Sequence, residues 1–232
     1  MITSRRMRLV LELVALAAPP VLMAICGFFG YSRFALFSLI VVAASVVIFM
    51  VGYDRSRPSA SELVPITVMA ALAVAGRVLF APIPSFKPVS AITIIAGIVF
   101  GRRSGFMVGA LAGLVSNFFF GQGPWTPWQM YAWGVIGYLA GVLAQAGAFQ
   151  RRPVVLAYGV ASGLVYGLIL NLWSIVGFFH PQDAAQFVAL FTAAVPLDII
   201  HGVATAIFLA IVYYPWHRKL MRVKRKYGFG EA

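Results

Sequence analysis

Residues 91–115, AITIIAGIVFGRRSGFMVGALAGLV, decide the fold of this chain. Two apolar runs are joined by a short loop that carries two adjacent arginines, Arg102 and Arg103. Apolar runs of this kind predict helices that lie in a lipid bilayer, and a cationic loop between two such helices is typical of the cytoplasmic side. The stretch therefore predicts a helical hairpin of a membrane protein whose turn lies in the cytoplasm.

The same arrangement recurs along the chain, because every second loop between apolar runs is basic. Of the 18 Lys and Arg residues, 15 lie in these alternate stretches. They are Arg5, Arg6 and Arg8; Arg55 and Arg57; Arg102 and Arg103; Arg151 and Arg152; and Arg218, Lys219, Arg222, Lys224, Arg225 and Lys226. This alternation predicts that both termini lie in the cytoplasm.

Eight apolar runs are candidate spans: residues 9–30, 34–53, 62–80, 88–101, 105–121, 128–149, 154–179 and 196–216. The fourth is short, so we expect it to tilt or to begin in the Pro-rich loop before it. The sequence predicts an all-α, polytopic protein of a bacterial cell membrane. Its expected parts are an amino-terminal hairpin (1–55), a six-helix core (62–217) and a basic cytoplasmic tail (218–232).

Composition excludes several classes of protein. With 62% hydrophobic and 10% charged residues and a mean hydropathy of +0.92, the chain is unlike a soluble domain. The net charge of +12 lies in membrane-flanking loops, which favours anionic lipid over nucleic acid as a partner. The single cysteine, Cys26, allows no internal disulfide. No phosphate-binding Gly-Lys loop and no zinc-ligand spacing occur, so we expect no ATP hydrolysis, no metal and no cofactor.

The predicted external loops differ from the short basic turns. They are APIPSFKP (81–88), GQGPWTPWQM (121–130) and HPQDAAQFVALFTAAVP (180–196). Loops rich in proline and aromatic residues are poorly suited to simple turns in water, and we expect them to fold over a ligand or to enter the membrane interface. The outer end of the bundle is therefore the expected ligand side.

Three ionisable residues near this end are candidates for ligand contacts. Arg77 lies about one turn from the end of the third run, where a guanidinium is costly unless it is paired or reaches the headgroups. Asp198 and His201, three positions apart, share a helix face and would anchor a ligand. The structural alternatives are that Asp198 stabilises a helix amino end or pairs with Arg77.

Neutral polar and aromatic residues extend this candidate set. Asn117 and Asn171 would bind either another helix or the amide group of a ligand. Tryptophans at the outer boundary would form an interfacial belt or stack on a bulky ligand. The remaining binding candidates are Lys87, Gln122, Trp125, Trp128, Gln129 and Trp173.

Small residues suggest two kinds of helix contact. Ala71 and Ala75 form an AxxxA pair, which lets a partner helix approach closely. Glycines recur every three or four residues in the fifth and sixth runs, at Gly105, Gly109 and Gly113 and at Gly134, Gly137 and Gly141. These glycines indicate packing inside the bundle.

From about Glu62 to His217 the chain resembles the S component, or substrate-binding subunit, of energy-coupling factor (ECF) vitamin importers. The resemblance lies in the AxxxA pair, in GRVLFAPIPSFKPVSAI (76–92) and in SNFFFGQGPWTPWQM (116–130). The first 55 residues depart from the six-helix pattern of that family. The resemblance implies a vitamin-binding subunit without enzymatic activity, which docks through Ala71 and Ala75 on a transmembrane coupling protein driven by two cytoplasmic ATPases.

The vitamin is less defined than the class. The subgroup most resembles cobalamin-type S components, and flavins, folates and pantothenate remain open. Arg77 and Lys87 would suit anionic groups, and Asn117, Gln122, Gln129 and Asn171 would pair with amides. Two other classes stay open: a stand-alone carrier, and a membrane enzyme acting on a lipid with Asp198 and His201 as acid and base.

Overall fold

The computed structural model describes residues 5–29, 34–54, 60–179 and 181–226. Its α-helices are α1 (Arg5–Phe29), α2 (Phe34–Asp54), α3 (Ala60–Leu79), α4 (Val89–Phe100), α5 (Arg102–Phe120), α6 (Trp125–Gln145), α7 (Arg152–Ser174) and α8 (Ala184–Lys226). A 3-10 turn at Ala148–Gln150 precedes α7, and a π-helical turn at Ile175–Phe179 follows it. The predicted external loop at Tyr31–Arg33 and the basic loop with Arg55 and Arg57 lie outside the described residues.

The chain is an all-helical membrane protein. Three helical segments within the described residues are long and apolar enough to cross a bilayer, at 102–120, 152–179 and 184–226. Large apolar side chains are exposed along α1, α2, α3, α7 and α8, where lipid would cover them. The number of spans and the cytoplasmic position of both termini stay predictions.

The short fourth run forms the central helix of the bundle. Helix α4 has 12 residues, so it is about 18 Å long, well below the thickness of the hydrocarbon layer. Ten of its residues are buried, and it packs against α3, α5, α6 and α8. Because protein surrounds α4, this helix needs neither to tilt through lipid nor to begin in the loop before it.

Two of the predicted external loops are largely helical, so the loops themselves are shorter than the sequence predicted. Helix α6 begins at Trp125, which leaves only residues 121–124 as a loop. Helix α8 begins at Ala184 and runs for 43 residues through Pro196 and Pro215 to Lys226. At about 65 Å it is roughly twice the thickness of the hydrocarbon layer. Proline is tolerated inside membrane helices, and the basic tail predicted from Arg218 continues α8.

Helices α5 and α6 pack backbone against backbone through the recurring glycines, as the sequence predicts. A Cβ atom added at Gly137 would overlap the carbonyl oxygen of Gly105, and one added at Gly109 would overlap the backbone of Trp133. Gly97 of α4 meets the same segment of α6. The three helices approach this closely only because no side chain lies between them.

We expect Gly137→Ala to lower the free energy of unfolding by about 1–3 kcal/mol, because the new methyl group overpacks this contact. Gly52→Ala is the matched control, since a Cβ atom there would have nothing within 4 Å. In a helix, alanine is intrinsically favoured over glycine by about 1 kcal/mol, so the control should be neutral or stabilising. Thermal unfolding in detergent measures both, and equal shifts in the two variants would contradict the packing argument.

Candidate ligand-binding site

Arg77 is the centre of a buried polar network at the end of the core opposite to Arg102 and Arg103. Only 9% of Arg77 is exposed. Its Nη1 group donates hydrogen bonds to Ser116 Oγ and, at 2.9 Å, to Asn117 Oδ1, and its Nη2 group donates to Gln129 Oε1 at 3.5 Å. Helices α3, α5 and α6 are thereby joined through one guanidinium group.

Asn117 extends this network toward the 121–124 loop. Its Nδ2 group donates to Gln129 Oε1 at 2.8 Å and to Thr126 Oγ1 at 2.9 Å. Thr126 Oγ1 donates to Gln122 Oε1 at 2.9 Å, and Gln122 Nε2 donates to the Leu114 carbonyl at 3.0 Å. Three predicted residues, Asn117, Gln122 and Gln129, therefore lie in one continuous network.

Aromatic rings flank the guanidinium group. The Cζ atom of Arg77 lies 4.8 Å from the ring centroid of Phe120 and 4.9 Å from that of Trp133. These are cation–π distances, which help to stabilise a buried positive charge. The Trp133 ring packs against Tyr166 of α7 with a centroid separation of 4.8 Å. A wall of flat side chains thus runs from α5 across α6 to α7.

His201 of α8 continues this wall. Its ring lies 4.7 Å from that of Tyr166, and its Nε2 atom is 2.8 Å from Ser90 Oγ of α4. Asp198 accepts a hydrogen bond of 2.7 Å from Asn171 Nδ2. Asp198 and His201 were predicted to share a helix face, and they contact different residues: Asp198 contacts Asn171, and His201 contacts Ser90 and Tyr166. No described carboxylate lies within ion-pair distance of Arg77, so the suggested pairing of Arg77 with Asp198 is absent.

Three buried polar atoms have no hydrogen-bond partner among the described residues. They are Nε1 of Trp133, Nε1 of Trp128 and Oγ1 of Thr93. Leaving a buried donor unsatisfied costs about 1–3 kcal/mol. The indole of Trp133 flanks Arg77, so a ligand at this site with an acceptor group would satisfy its N–H.

Lys87 lies in the loop between α3 and α4, at the same end of the core. Its Nζ group donates to the Ile83 carbonyl at 2.8 Å. Burial lowers the pKa of Lys87 from its ordinary value, and the nearby charge of Arg77 lowers this pKa further. The same loop folds toward the helix bundle: the centroid of the Phe86 ring lies 5.1 Å from that of Phe208 in α8. The loop thus brings a second cation close to Arg77.

The predicted tryptophans do not form one rim. Trp128 is fully buried and stacks on Trp173 with a centroid separation of 6.2 Å, in a cluster with Met23 and Phe49 of the amino-terminal helices. Trp125 is 38% exposed and donates its indole N–H to the Gly121 carbonyl. These three indoles lie apart from the Arg77 network, and Trp133 is the tryptophan beside Arg77.

Five residues of the site were not predicted from the sequence: Ser90, Ser116, Phe120, Thr126 and Tyr166. Ser116 directly precedes Asn117, which was the one available signal. Serine in an apolar run commonly bonds to its own helix, and tyrosine is common at membrane boundaries, so neither residue type points to a site.

A second feature of the core is the exposed small-residue face of α3. Ala71 and Ala75 are both exposed, whereas Met69, Ala70, Ala73 and Val74 of the same helix are buried. The AxxxA pair therefore does not pack against another described part of this chain.

The fold and the polar network define an integral membrane protein with a buried cationic and aromatic site near one end of its helix bundle. Residues 57–220 match the family model described as ECF-type riboflavin transporter, S component. The match covers more than half of the chain, and the chain belongs to this family. Members are vitamin-binding subunits of ECF transporters and not enzymes. No curated protein and no solved structure matches the chain.

The matched residues begin after α2, so α1 and α2 lie outside the family match. The prediction of an ECF S component is confirmed at the level of the family. The cobalamin subgroup favoured on the two loop motifs is not confirmed, since the matching family is riboflavin-type.

Proposed function

We propose that this protein captures riboflavin, or a closely similar flat vitamin, for an ATP-driven ECF importer, and that the ligand binds at the Arg77 network. The observation that carries the proposal is a buried guanidinium with no carboxylate partner among the described residues, next to an indole N–H for which those residues offer no acceptor. Such a site favours a ligand with carbonyl acceptors over a cation.

The donors at the site suit a flavin ring. A guanidinium has five N–H donors. Those of Arg77 make three described hydrogen bonds, so not all of them are used within the protein. The flavin ring system is planar, carries two carbonyl oxygens and stacks well on aromatic side chains such as Trp133 and Tyr166. Its hydroxylated side chain would bond to neutral groups such as Gln129, His201 or the Asn171–Asp198 pair.

Cobalamin remains the alternative vitamin. Its amide side chains would pair with Asn117, Gln122, Gln129 and Asn171, as the sequence suggested. However, Asn117 and Gln129 already bond to each other and to Arg77. The tightly linked network and the family description favour the smaller, flat ligand.

The partners follow from the family and from the exposed AxxxA face. ECF S components act with a transmembrane coupling protein and two cytoplasmic ATPases. We propose that the coupling protein packs on α3 at Ala71 and Ala75, that both termini are cytoplasmic and that the Arg77 end faces outward. A stand-alone carrier would instead import the vitamin in cells that lack any ECF ATPase.

The test is direct ligand binding by the purified protein in detergent. Riboflavin should lose its fluorescence on titration with the protein, because stacking on Trp133 quenches it, and Trp133→Leu should reduce this quenching. Cobalamin should separate from the protein on a desalting column. Co-elution of cobalamin with the protein, without binding of riboflavin, would overturn the vitamin assigned here, and uptake without an ECF ATPase would overturn the transporter class.

A further inference from the structure

Glu12 is a buried carboxylate about two turns into an apolar helix, α1, and it binds the core. It is 5% exposed. Its Oε1 atom lies 2.6 Å from both Nε and Nη2 of Arg103, and its Oε2 atom lies 3.4 Å from Nε of Arg102. Tyr138 of α6 donates its hydroxyl hydrogen to Oε2 at 2.8 Å. Two arginines and a tyrosine of the core thus surround one carboxylate of the hairpin.

This ion pair is specific as well as strong. Removing one partner of such a pair leaves the other charge without compensation, which weakens the contact between the hairpin and the core. The two contacts that Arg103 makes to one oxygen also fix the orientation of the side chains. Glu12 therefore sets the position of α1 along α5 and α6, and a shift by one helical turn would leave three core groups unpaired.

The rest of the hairpin packs on the same face of the core. The Tyr131 hydroxyl donates to the Leu16 carbonyl of α1. Phe49 of α2 stacks on Phe106 of α5 with a centroid separation of 3.9 Å. Phe49 also meets the edge of Tyr138. The hairpin thus combines a polar contact near the α4–α5 turn with an apolar contact along α5 and α6.

The α4–α5 turn is held from its other side by α8. Lys224 donates from Nζ to the Val99 carbonyl at 2.7 Å, near the carboxyl end of α4, where a cation is favourable. Gly141 of α6 lies directly against the backbone of Arg102. One turn therefore receives contacts from the first helix, the sixth helix and the last helix of the chain.

Helix α6 connects the hairpin to the candidate site. Trp128, Tyr131 and Tyr138 face the hairpin side of this helix, whereas Gln129 and Trp133 face the Arg77 network. A hairpin that left the core would uncover the first set and would loosen the helix that carries the second. Structural continuity of this kind favours permanent docking over reversible contact.

We propose that the amino-terminal hairpin is a permanently docked part of this subunit, that the Glu12–Arg103 ion pair fixes it on the α5–α6 face, and that hairpin and core move as one body. The docking itself does not depend on which vitamin binds. Its consequence for transport rests on the proposed function: the hairpin covers the α5–α6 face, so this face is not available to a coupling protein.

The test measures exposure of a residue that the docked hairpin buries. Val42 of α2 is fully buried, so in a Cys26→Ser background the Val42→Cys thiol should react slowly with a maleimide in detergent. Glu12→Gln or Arg103→Gln should accelerate labelling at least about tenfold, by weakening the buried pair. Arg103→Lys, which keeps a positive charge beside Glu12, should label more slowly than Arg103→Gln. Arg152→Gln is the control, because the described hydrogen bond and cation–π contact of Arg152 are both to α8.

Unchanged labelling in Glu12→Gln and Arg103→Gln would overturn the proposal. So would labelling of Arg103→Lys that is as fast as that of Arg103→Gln, because the effect would then not depend on the charge. If the two glutamine variants do not yield folded protein, Arg103→Lys decides: folded protein supports the pair, and failure to fold contradicts it. Riboflavin binding by the same samples is recorded separately, so loss of the proposed function and loss of docking are distinguishable.

Discussion

Replacing both Ala71 and Ala75 with tryptophan should abolish vitamin uptake by cells while leaving vitamin binding by the purified protein unchanged. The two alanines are exposed on one face of α3, and small residues allow a partner helix to approach at backbone distance. Two indole rings there would hold the helix of a coupling protein away by several ångströms. Uptake of labelled vitamin in cells that also express the ECF module measures the loss.

Binding should survive because Ala75 and Arg77 point in different directions. Two positions along an α-helix correspond to a rotation of about 200°, so the exposed alanine lies almost opposite to the buried guanidinium. Leu164→Trp on α7 is a matched control, since Leu164 is also exposed on the lipid-facing surface. Normal uptake by the double tryptophan variant would show that α3 is not the coupling surface, even if the chain is an S component.

The fold class followed from the sequence because membrane insertion depends on local properties. Apolar run length and the side on which arginines are retained can both be read along the chain, as at 91–115. The ends of the helices could not be read in this way. Residues 184–195 have no charge and little hydrophobic periodicity, so the sequence did not distinguish an apolar loop from the first turns of α8.

The site was predicted residue by residue but not as a set. Arg77, Asn117 and Gln129 were each noticeable as polar groups in or beside apolar runs, yet their hydrogen bonds join residues up to 52 positions apart. Such pairings depend on the crossing of α3, α5 and α6, and the sequence of one helix does not contain that information. For the same reason the tryptophans were grouped by their depth in the membrane, although Trp128 and Trp133 lie on different faces of α6.

Glu12 illustrates the same limit. An acidic residue in an apolar amino-terminal run has no visible partner in the sequence, because Arg103 is 91 positions away and was counted as one of the cytoplasmic cations. In the structure Glu12 and Arg103 form one ion pair. A cationic loop that would otherwise serve only topology also holds the hairpin.

Arg77→Gln should weaken riboflavin binding by at least about thirtyfold without loss of folded protein. A hydrogen bond to a charged group contributes about 1.5–3 kcal/mol, and the variant removes both the charge and the donors that we assign to the ligand carbonyls. Glutamine keeps an amide donor for Ser116 or Asn117, so the network is less disturbed than by alanine. Fluorescence titration gives the affinity, and thermal unfolding shows whether the fold is intact.

Arg77→Lys separates charge from geometry. Lysine keeps a positive charge but cannot offer the planar, forked donors of a guanidinium, so we expect affinity between that of the wild type and that of Arg77→Gln. Arg152→Gln should bind riboflavin normally, because Arg152 contacts the Ala210 carbonyl and Tyr214 away from the site. Wild-type affinity in Arg77→Gln would mean that this guanidinium only joins helices, and the vitamin site would then have to lie elsewhere in the bundle.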